Sequence, residues 1–223
     1  MGKERVRQHF DTIAGEYDRW KERSSYYYGL LSGVYREFVP PGATVLEIGC
    51  GTGTLMASLG PRRGVGVDLS PGMVEIAASK HPALTFLVAD AENLDLNEMF
   101  EFVIVPDVIE HLSDVGAMFR SARRHCDPGS RVIVTSVNPL WAPVLHLAEH
   151  LGLKMPEGEH RWLSSRELKT LAIGGGFNVA EEHGRILLPK RVPLMASLLN
   201  RAAARAAFLS PLCLTQVLVL SPR

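Results

Sequence analysis

The stretch from Val45 to Gly53, which reads VLEIGCGTG, limits the possible folds of this chain more than any other feature. Apolar, β-favouring residues around a single acid run directly into three glycines at alternate positions. The next residues, 54–59, can begin a helix. A strand, a tight glycine turn and a helix N-terminus in immediate succession predict a cradle for a nucleotide, because glycine lets the backbone approach a ligand closely.

The details of this turn indicate which nucleotide it accepts. A dinucleotide-binding turn has a third glycine where this chain has Thr54, and the Glu47 carboxylate would repel a pyrophosphate but suit an ammonium group. Asp68 ends the next apolar stretch, at the place where an acid suits the two hydroxyls of a ribose. The ligand should therefore have a ribose, a positive end and no phosphate. S-adenosylmethionine has all three properties.

Four segments in order resemble the motifs of class I S-adenosylmethionine-dependent methyltransferases. VLEIGCGTG resembles their first motif and VGVDLS the segment that follows it; FLVADAENL (86–94) resembles the second motif and FEFVIVPDVIEHL (100–112) the third. The resemblance covers about residues 5–184, and its spacing is that of the family. Within the superfamily the chain resembles the small type-11/12 enzymes.

Strand and helix patterns alternate from Thr44 onward, which predicts a parallel sheet with helices on both faces. The resemblance implies an α/β, Rossmann-like, seven-stranded sheet in the order 3-2-1-4-5-7-6, with the last strand antiparallel and an N-terminal helical lid. We predict strands near 44–48, 64–68, 84–89, 102–106, 131–137, 177–182 and 213–220. We predict helices near 53–60, 71–80, 114–126 and 165–174.

The length of 223 residues indicates one methyltransferase domain over 1–223. We expect a helical lid at 1–40, a cofactor-binding half at 41–137 and an acceptor-side half at 138–223. The acceptor-side half contains two insertions, at 138–163 and 185–212. The two insertions lie outside the common core and bracket the carboxyl edge of the sheet, where ligands bind in open α/β sheets.

Composition excludes several classes of protein. With 24 basic and 24 acidic residues, the chain has no global field to recruit nucleic acid. Its three cysteines form no C-x-x-C pair, which favours free thiols in a reducing cytoplasm over disulfides or a zinc site. The charged N-terminus does not resemble a signal peptide, and no apolar run of about twenty residues is present to span a membrane.

The segment from Gly184 to Arg223 contains six basic residues and no acid. One interpretation is a lid that packs its apolar side chains on the domain and leaves its arginines in water. The alternative is a peripheral contact with an anionic membrane through residues 184–212.

The predicted cofactor-binding residues surround the glycine turn and the ends of the neighbouring strands. The resemblance implies that Asp90 and the amide after it read the adenine edge. It also implies that the tyrosine of FDTIAGEYD, Tyr17, closes over the cofactor, although a packing role is the alternative. The full set is Tyr17, Tyr28, Glu47, Gly49, Cys50, Gly51, Asp68, Leu69, Met73, Asp90, Ala91, Glu92 and Pro106.

Asp107, Glu110 and His111 would share one face of a helical turn at the carboxyl edge of the fourth strand. Ubiquinone-type O-methyltransferases have a similar E-x-x-E-H arrangement, so these three residues could hold a divalent ion. We favour a site without metal, in which His111 is the catalytic residue, either as a general base or as a substrate contact. A histidine that only packs against the cofactor is the alternative.

On the acceptor side we expect His160 and Trp162 to contact the substrate, because related enzymes often have a histidine or an aromatic residue at this place. We expect the same of Asn138, because it lies just after the fifth strand, at the edge where ligands bind. The alternative for Asn138 is a turn residue before Pro139, and for Trp162 a hydrophobic staple before a helix.

These features predict S-adenosylmethionine-dependent methyl transfer, most simply O-methylation, to a small-molecule, saccharide or lipid-linked acceptor, with S-adenosylhomocysteine as product. The alternatives are an N-methyltransferase of a natural product and a non-catalytic S-adenosylmethionine-binding module. Thr54 and Glu47 disfavour an oxidoreductase. The chain lacks a basic-aromatic patch or an amide-methylating motif, which disfavours nucleic-acid and protein acceptors.

Overall fold

The protein is described by a computed structural model over residues 2–156, 158, 161–192, 195–205 and 207–223. The strands are β1 (Thr44–Ile48), β2 (Arg63–Asp68), β3 (Thr85–Val88), β4 (Phe102–Pro106), β5 (Arg131–Val137), β6 (Phe177–Arg185) and β7 (Thr215–Pro222). The helices are α1 (Lys3–Arg23), α2 (Ser25–Phe38), α3 (Thr54–Leu59), α4 (Pro71–Lys80), α5 (Val115–Arg123), α6 (Ala142–His150), α7 (Ser165–Gly174) and α8 (Met195–Arg205).

The strands form a sheet in the order β3-β2-β1-β4-β5-β7-β6, which confirms the predicted topology. β1 pairs in parallel with β2 and β4, whereas β7 runs antiparallel to both of its neighbours, β5 and β6. The central strands are rich in valine and isoleucine because helices cover both of their faces.

Each face of the sheet carries its own apolar core. On one face α5 and α7 pack over the strands, and the rings of Phe119 and Phe177 meet at 6.1 Å between centroids. On the other face α2 packs over Ile104 and Ile133. The fully buried Tyr35 of α2 donates a hydrogen bond to Oγ1 of Thr135, which satisfies its hydroxyl inside the core.

Because β1, β2, β4 and β5 run in one direction, their carboxyl ends lie along the same edge of the sheet. Gly49, Asp68, Asp107 and Asn138 stand at or directly after these four ends. The fold therefore brings together residues that lie far apart in the sequence, at the edge where α/β sheets bind ligands.

Helix α1 crosses this edge and is about 30 Å long. Ala14 is the one buried residue in α1, every residue of which the structure describes. At the first turn, Nζ of Lys3 lies 2.6 Å from Oδ2 of Asp90 and 2.8 Å from Oε2 of Glu92, both beyond β3. The N-terminal end of the helix is thus held to the sheet by charge.

Two further aspartates hold α1 along its length. Asp11 accepts hydrogen bonds from the Ser70 hydroxyl at 2.5 Å and from the backbone at the start of α4. Asp18 accepts a hydrogen bond from Oγ1 of Thr52 at 2.6 Å and pairs with Nζ of Lys80 at 2.5 Å. The predicted N-terminal helix therefore covers the carboxyl edge, attached mainly by polar contacts.

The predicted boundaries differ from the structure at two elements. α5 ends at Arg123 rather than near 126, because His125 leaves the helix and its Nε2 accepts a hydrogen bond from the Leu96 backbone. β7 begins at Thr215 rather than 213, because Cys213 closes a turn on the Ser210 carbonyl. All three cysteines are buried free thiols, and none of the described helices is both long and apolar enough to span a bilayer.

Two adjacent glycines at the end of α7 provide a test of the packing between α7 and α5. A Cβ on Gly175 would overlap the Cβ of Phe119, whereas a Cβ on Gly174 would meet nothing within 4 Å. We expect Gly175→Ala to lower the free energy of unfolding by about 1–3 kcal/mol through overpacking. Gly174→Ala should leave it unchanged or raise it by about 0.4–1 kcal/mol. Urea unfolding of both variants measures the difference, and equal values would contradict this packing.

Candidate active site

The turn after β1 needs glycine for two different reasons. Gly49 has φ +77°, and a Cβ there would lie 2.6 Å from Cγ2 of Val108, so a larger residue would push against the turn after β4. Gly51 has φ +51°, and a Cβ there would lie 3.2 Å from the ring of Tyr17 in α1. The glycines thus let two protein segments close on the turn, in addition to keeping its backbone accessible from the cavity.

Asp68 fixes the geometry of this turn. Its Oδ2 accepts a hydrogen bond from the Gly51 backbone at 2.8 Å, and its Oδ1 accepts one from the Ser70 backbone at 2.9 Å. Burial raises the pKa of Asp68, and these backbone N–H groups offset part of the effect. The side chain also lines the cavity, as a ribose contact requires.

Glu47 lies on the floor of the same cavity, with 1% of its surface exposed. Its Oε2 is buried without a hydrogen-bond partner. Burial raises the pKa of Glu47 to about 8, and the positive charge of Lys21 and a backbone hydrogen bond from Met56 offset only part of this rise. A buried acceptor that lacks a donor fits a ligand ammonium group at this position.

The side of the cavity near β3 carries the residues predicted to hold the adenine. Oδ1 of Asp90 accepts a hydrogen bond from the Glu92 backbone at 2.9 Å and so begins a short 3₁₀ turn that includes Ala91. Leu69 and the buried Met73 line the same side of the cavity with apolar surface. This arrangement suits a flat heterocycle, since it combines apolar faces with polar groups at one edge.

Two tyrosines and a lysine close the cavity above the glycine turn. Nζ of Lys21 lies 4.6 Å from the ring centroid of Tyr17 and 4.8 Å from that of Tyr28. All three residues line the cavity, as do Cys50 and Pro106. The two tyrosines were predicted from the sequence, whereas Lys21 was not. The spacing from Tyr17 to Lys21, four residues along a helix, was a signal that could have identified it.

The turn after β4 is strained and internally bonded. Asp107 has φ +48°, a conformation uncommon outside glycine, and its carboxylate accepts hydrogen bonds from Tyr27 at 2.6 Å and Thr135 at 2.7 Å. Burial and the charge of Asp107 raise the pKa of Tyr27 well above its usual value, so Tyr27 stays protonated as a donor. Strain of this kind persists only where the surroundings enforce it, and it often marks a functional site.

The remaining two members of the Asp107–His111 motif have different surroundings. Oε1 of the buried Glu110 accepts a hydrogen bond from the Val137 backbone at 2.6 Å and so joins β4 to β5. His111 lies at the end of a 3₁₀ turn, and its ring packs edge-to-face on Phe10 of α1 at 5.0 Å between centroids. Within the described ranges, no three His, Cys, Asp or Glu side chains form a metal-binding group. Of the three residues, His111 is the one whose ring packs on Phe10 of α1.

The cavity continues from these residues to the acceptor side, with a total volume of about 870 Å³. Trp162 lines it, and its ring lies 5.0 Å from that of His146. Trp141, which was not predicted from the sequence, also lines the cavity, and its indole N–H donates a hydrogen bond to the Leu212 carbonyl.

The structure corrects the role predicted for Asn138. Its Nδ2 donates to the backbone carbonyls of Pro211 and Cys213, and its Oδ1 accepts from the Leu140 backbone. Asn138 therefore fixes the loop after β5 to the segment before β7 and is not part of the cavity lining. His160, the third predicted acceptor contact, lies outside the described residues.

Comparison with known proteins identifies the family. A model of the methyltransferase domain family matches residues 21–182, well over half of the chain. The chain belongs to this family. The sequence-based recognition of a class I methyltransferase, with S-adenosylmethionine as the methyl donor, is therefore confirmed at the level of the family.

Relatives of this methyltransferase include an enzyme of Azorhizobium caulinodans named ubiquinone biosynthesis O-methyltransferase. The two sequences are 33% identical over 164 residues, which cover 67% of this chain and 64% of that enzyme. The match thus spans less than two thirds of the relative's length.

Solved structures share the fold over nearly the whole chain. A S-adenosylmethionine-dependent methyltransferase of Thermotoga maritima has a TM-score of 0.73 at 21% identity and covers 98% of this chain and 100% of its own. Magnesium protoporphyrin IX methyltransferase from Synechocystis, solved with bound S-adenosylhomocysteine, has a TM-score of 0.64 at 19% identity and covers 99% of each chain.

The raised pKa of Glu47 predicts that ligand binding releases a proton. With a pKa of about 8, Glu47 is mostly protonated at pH 7, and a ligand ammonium beside it would favour the carboxylate. We expect S-adenosylhomocysteine binding at pH 7 to release about one proton, measured by calorimetry in two buffers of different ionisation enthalpy. Glu47→Gln should release none, and equal release by both proteins would contradict this role.

The raised pKa of Glu47 also determines how the stability of the ligand-free protein changes with pH. The folded protein holds the Glu47 proton more tightly than the unfolded chain does, so this stabilisation is complete below the ordinary pKa of 4.5. It is lost as the pH rises toward about 8. Glu47→Gln should therefore lose less stability than the wild type over this range.

Proposed function

We propose that this chain transfers the methyl group of S-adenosylmethionine to a hydroxyl of a small-molecule, saccharide or lipid-linked acceptor. The observation that carries the proposal is the continuous cavity, which is lined by Glu47 and Asp68 at one end and by Trp141 and Trp162 at the other. Its volume of about 870 Å³ is near the upper end of the range for ligand sites, which leaves room for an acceptor beside the donor.

The order of the strands supports this assignment of the two ends. Asp68 is the last residue of β2, the glycine turn follows β1, His111 follows β4 and Trp141 follows β5, and these strands are neighbours in the order β2-β1-β4-β5. Along the carboxyl edge, the turn with His111 thus comes between the predicted donor residues and the acceptor end. A group at the reaction centre should occupy this position.

The residues present define what the chain contributes to the reaction. Bound S-adenosylmethionine supplies a methyl group on a sulfonium, which needs no further activation. Asp68 would hold the ribose hydroxyls and Glu47 the ammonium group, which fixes the donor. His111 would accept the proton of the acceptor hydroxyl, and Phe10 of α1 covers its ring and excludes water.

The acceptor end is apolar, which supports a lipid-linked substrate. Besides the two tryptophans, its lining includes Val144, Leu145, Leu153 and Met155. Apolar side chains also extend outward around α6, with Leu147 61% and Leu151 63% exposed.

Exposed apolar and basic side chains flank this end on the segment between β6 and β7. Leu198 is 63% and Phe208 79% exposed, and Lys190, Arg191 and Arg201 are exposed as well. This combination supports the finer proposal that residues 184–212 contact an anionic membrane while the acceptor enters the cavity.

A panel of matched acceptors tests the proposed reaction. The purified chain would be incubated with isotopically labelled S-adenosylmethionine and phenols with and without a polyprenyl tail, an amine analogue of the tailed phenol and a saccharide. We expect labelled methyl ether from a hydroxyl acceptor, with the tailed phenol preferred because of the apolar lining. Methylation of the amine alone would favour the N-methyltransferase alternative. Ligand binding without methylated product would favour a binding module.

His111 should affect turnover much more than donor binding. If His111 accepts the acceptor proton, His111→Ala should lower the rate about 10²–10⁴-fold and leave the affinity for S-adenosylhomocysteine nearly unchanged. His150→Ala, which removes an exposed histidine at the end of α6, is the matched control. A normal rate in His111→Ala would contradict the role as base.

A further inference from the structure

The insertion at 138–163 supplies both tryptophans of the acceptor end of the cavity, Trp141 and Trp162. Its first end leaves β5 after Val137, and its second end reaches α7 after Leu163. The insertion projects from the carboxyl edge of the sheet between these two ends. The position of this cavity wall therefore depends on how the two ends are held to the rest of the fold.

Gln216 of β7 contacts both ends of the insertion. Its Nε2 donates a hydrogen bond to the Val137 carbonyl at 3.1 Å and another to the Leu163 carbonyl at 3.0 Å. A side-chain amide has two N–H groups, so these bonds use both of them. Gln216 is partly buried and belongs to a strand that is paired on both sides, with β5 and β6. One side chain on a firmly held strand thus closes the insertion at its base.

Glu110, the residue before His111, holds the same two ends through their N–H groups. Its Oε1 accepts a hydrogen bond from the Val137 backbone at 2.6 Å, and its own carbonyl accepts one from the Arg161 backbone at 2.9 Å. Val137 needs side-chain partners, because the pairing of β5 with β4 ends at Thr135. The base of the insertion is therefore joined directly to the turn that carries His111.

Trp162 lies between the two anchored residues of the second end. The N–H of Arg161 is bonded on one side of it, and the carbonyl of Leu163 is bonded on the other. The Trp162 ring lines the cavity and packs against the histidine ring at the middle of α6. Hydrogen bonds at the base of the insertion thus set the position of its aromatic wall.

We propose that Gln216 is a positioning residue for the acceptor, which holds the insertion at 138–163 closed and Trp162 beside the reaction centre. This inference rests on the proposed function, because it takes the end of the cavity with Trp141 and Trp162 as the acceptor end. Gln216 itself is not part of the cavity lining. It therefore acts on the acceptor through the insertion and not by contact.

The loss of both bonds should affect one kinetic constant more than the other. Without them the insertion is open for part of the time, and only the closed form binds the acceptor. The apparent affinity for the acceptor falls with the closed fraction, whereas an acceptor bound to the closed form reacts as before. The donor residues Glu47 and Asp68 lie on β1 and β2, which β4 and β5 separate from β7 in the sheet. Donor binding should therefore be independent of Gln216.

Gln216→Glu tests this role, because it keeps the shape of the side chain and replaces both N–H donors with an oxygen that repels the two carbonyls. We expect the KM for a phenol with a polyprenyl tail to rise about 5–30-fold, with kcat and the affinity for S-adenosylhomocysteine nearly unchanged. Hydrogen exchange of the Arg161 backbone N–H, measured without acceptor, should accelerate by a similar factor, because the same opening exposes it.

Two variants serve as controls. Gln216→Lys again supplies N–H donors on a long side chain and should restore most of the affinity for the acceptor. Ser130→Ala removes a buried hydroxyl that donates to the Phe100 carbonyl at 2.6 Å, at the opposite end of β5. It should lower the unfolding temperature without changing the KM for the acceptor or the exchange at Arg161.

The other outcomes overturn the inference. A KM for the acceptor that stays at the wild-type value in Gln216→Glu would mean that the insertion does not depend on this amide. An equal rise in KM in Ser130→Ala would mean that the acceptor senses only the stability of the domain, and a raised KM with normal exchange at Arg161 would mean that Gln216 acts elsewhere. A wild type that methylates no acceptor would instead contradict the proposed function, while the exchange rates would still decide whether Gln216 holds the insertion.

Discussion

The carboxylate of Asp68 joins the two turns on which the donor site depends. By accepting the backbone N–H groups of Gly51 and Ser70, it ties the glycine turn after β1 to the start of α4. Those N–H groups lie where the backbone leaves a strand, so no ladder partner is available to them, and burying them without an acceptor would be costly. Ser70 in turn bonds to Asp11 of α1. The position of the lid thus follows from the same carboxylate that is available to a ribose.

The buried carboxyl group of Glu47 connects the packing of the sheet with the chemistry of the site. Glu47 lies between Leu46 and Ile48 in the buried part of β1, where an apolar side chain would be more stable. The free-energy cost of burying this carboxyl group is smaller while the group is protonated, and a bound cation would offset part of the cost of the charged form. The positive charge of Lys21, which lies over the rings of Tyr17 and Tyr28, offsets only part of the rise in the pKa of Glu47. The site should therefore favour a ligand with a positively charged group beside Glu47.

The sequence predicted those features that depend on neighbouring residues. The glycine turn and Asp68 were accessible because their motifs are short, whereas the strand order was accessible only through the resemblance to a known family. The bond between Tyr27 and Asp107 was not, since 80 residues separate them and only the packing of α2 on β4 brings them together. Asn138 shows the opposite error, because a polar residue at the correct edge can be fully used by a loop. The roles of His111 and Trp162 remain predictions, since position in a cavity alone does not establish chemistry.

The sparse burial of α1 has a consequence for the rate at which ligands exchange. Ala14 is the one buried residue of α1, whereas Phe10 and Tyr17 are half-buried. Detachment of α1 should therefore expose less apolar surface, and change the heat capacity less, than detachment of a helix with a fully buried face. The attachment of α1 depends instead on ion pairs such as Lys3 with Asp90 and Lys80 with Asp18, which dissolved salt screens. Opening of this lid should therefore respond to ionic strength more than to temperature, and the residence time of the demethylated product should shorten as salt is added.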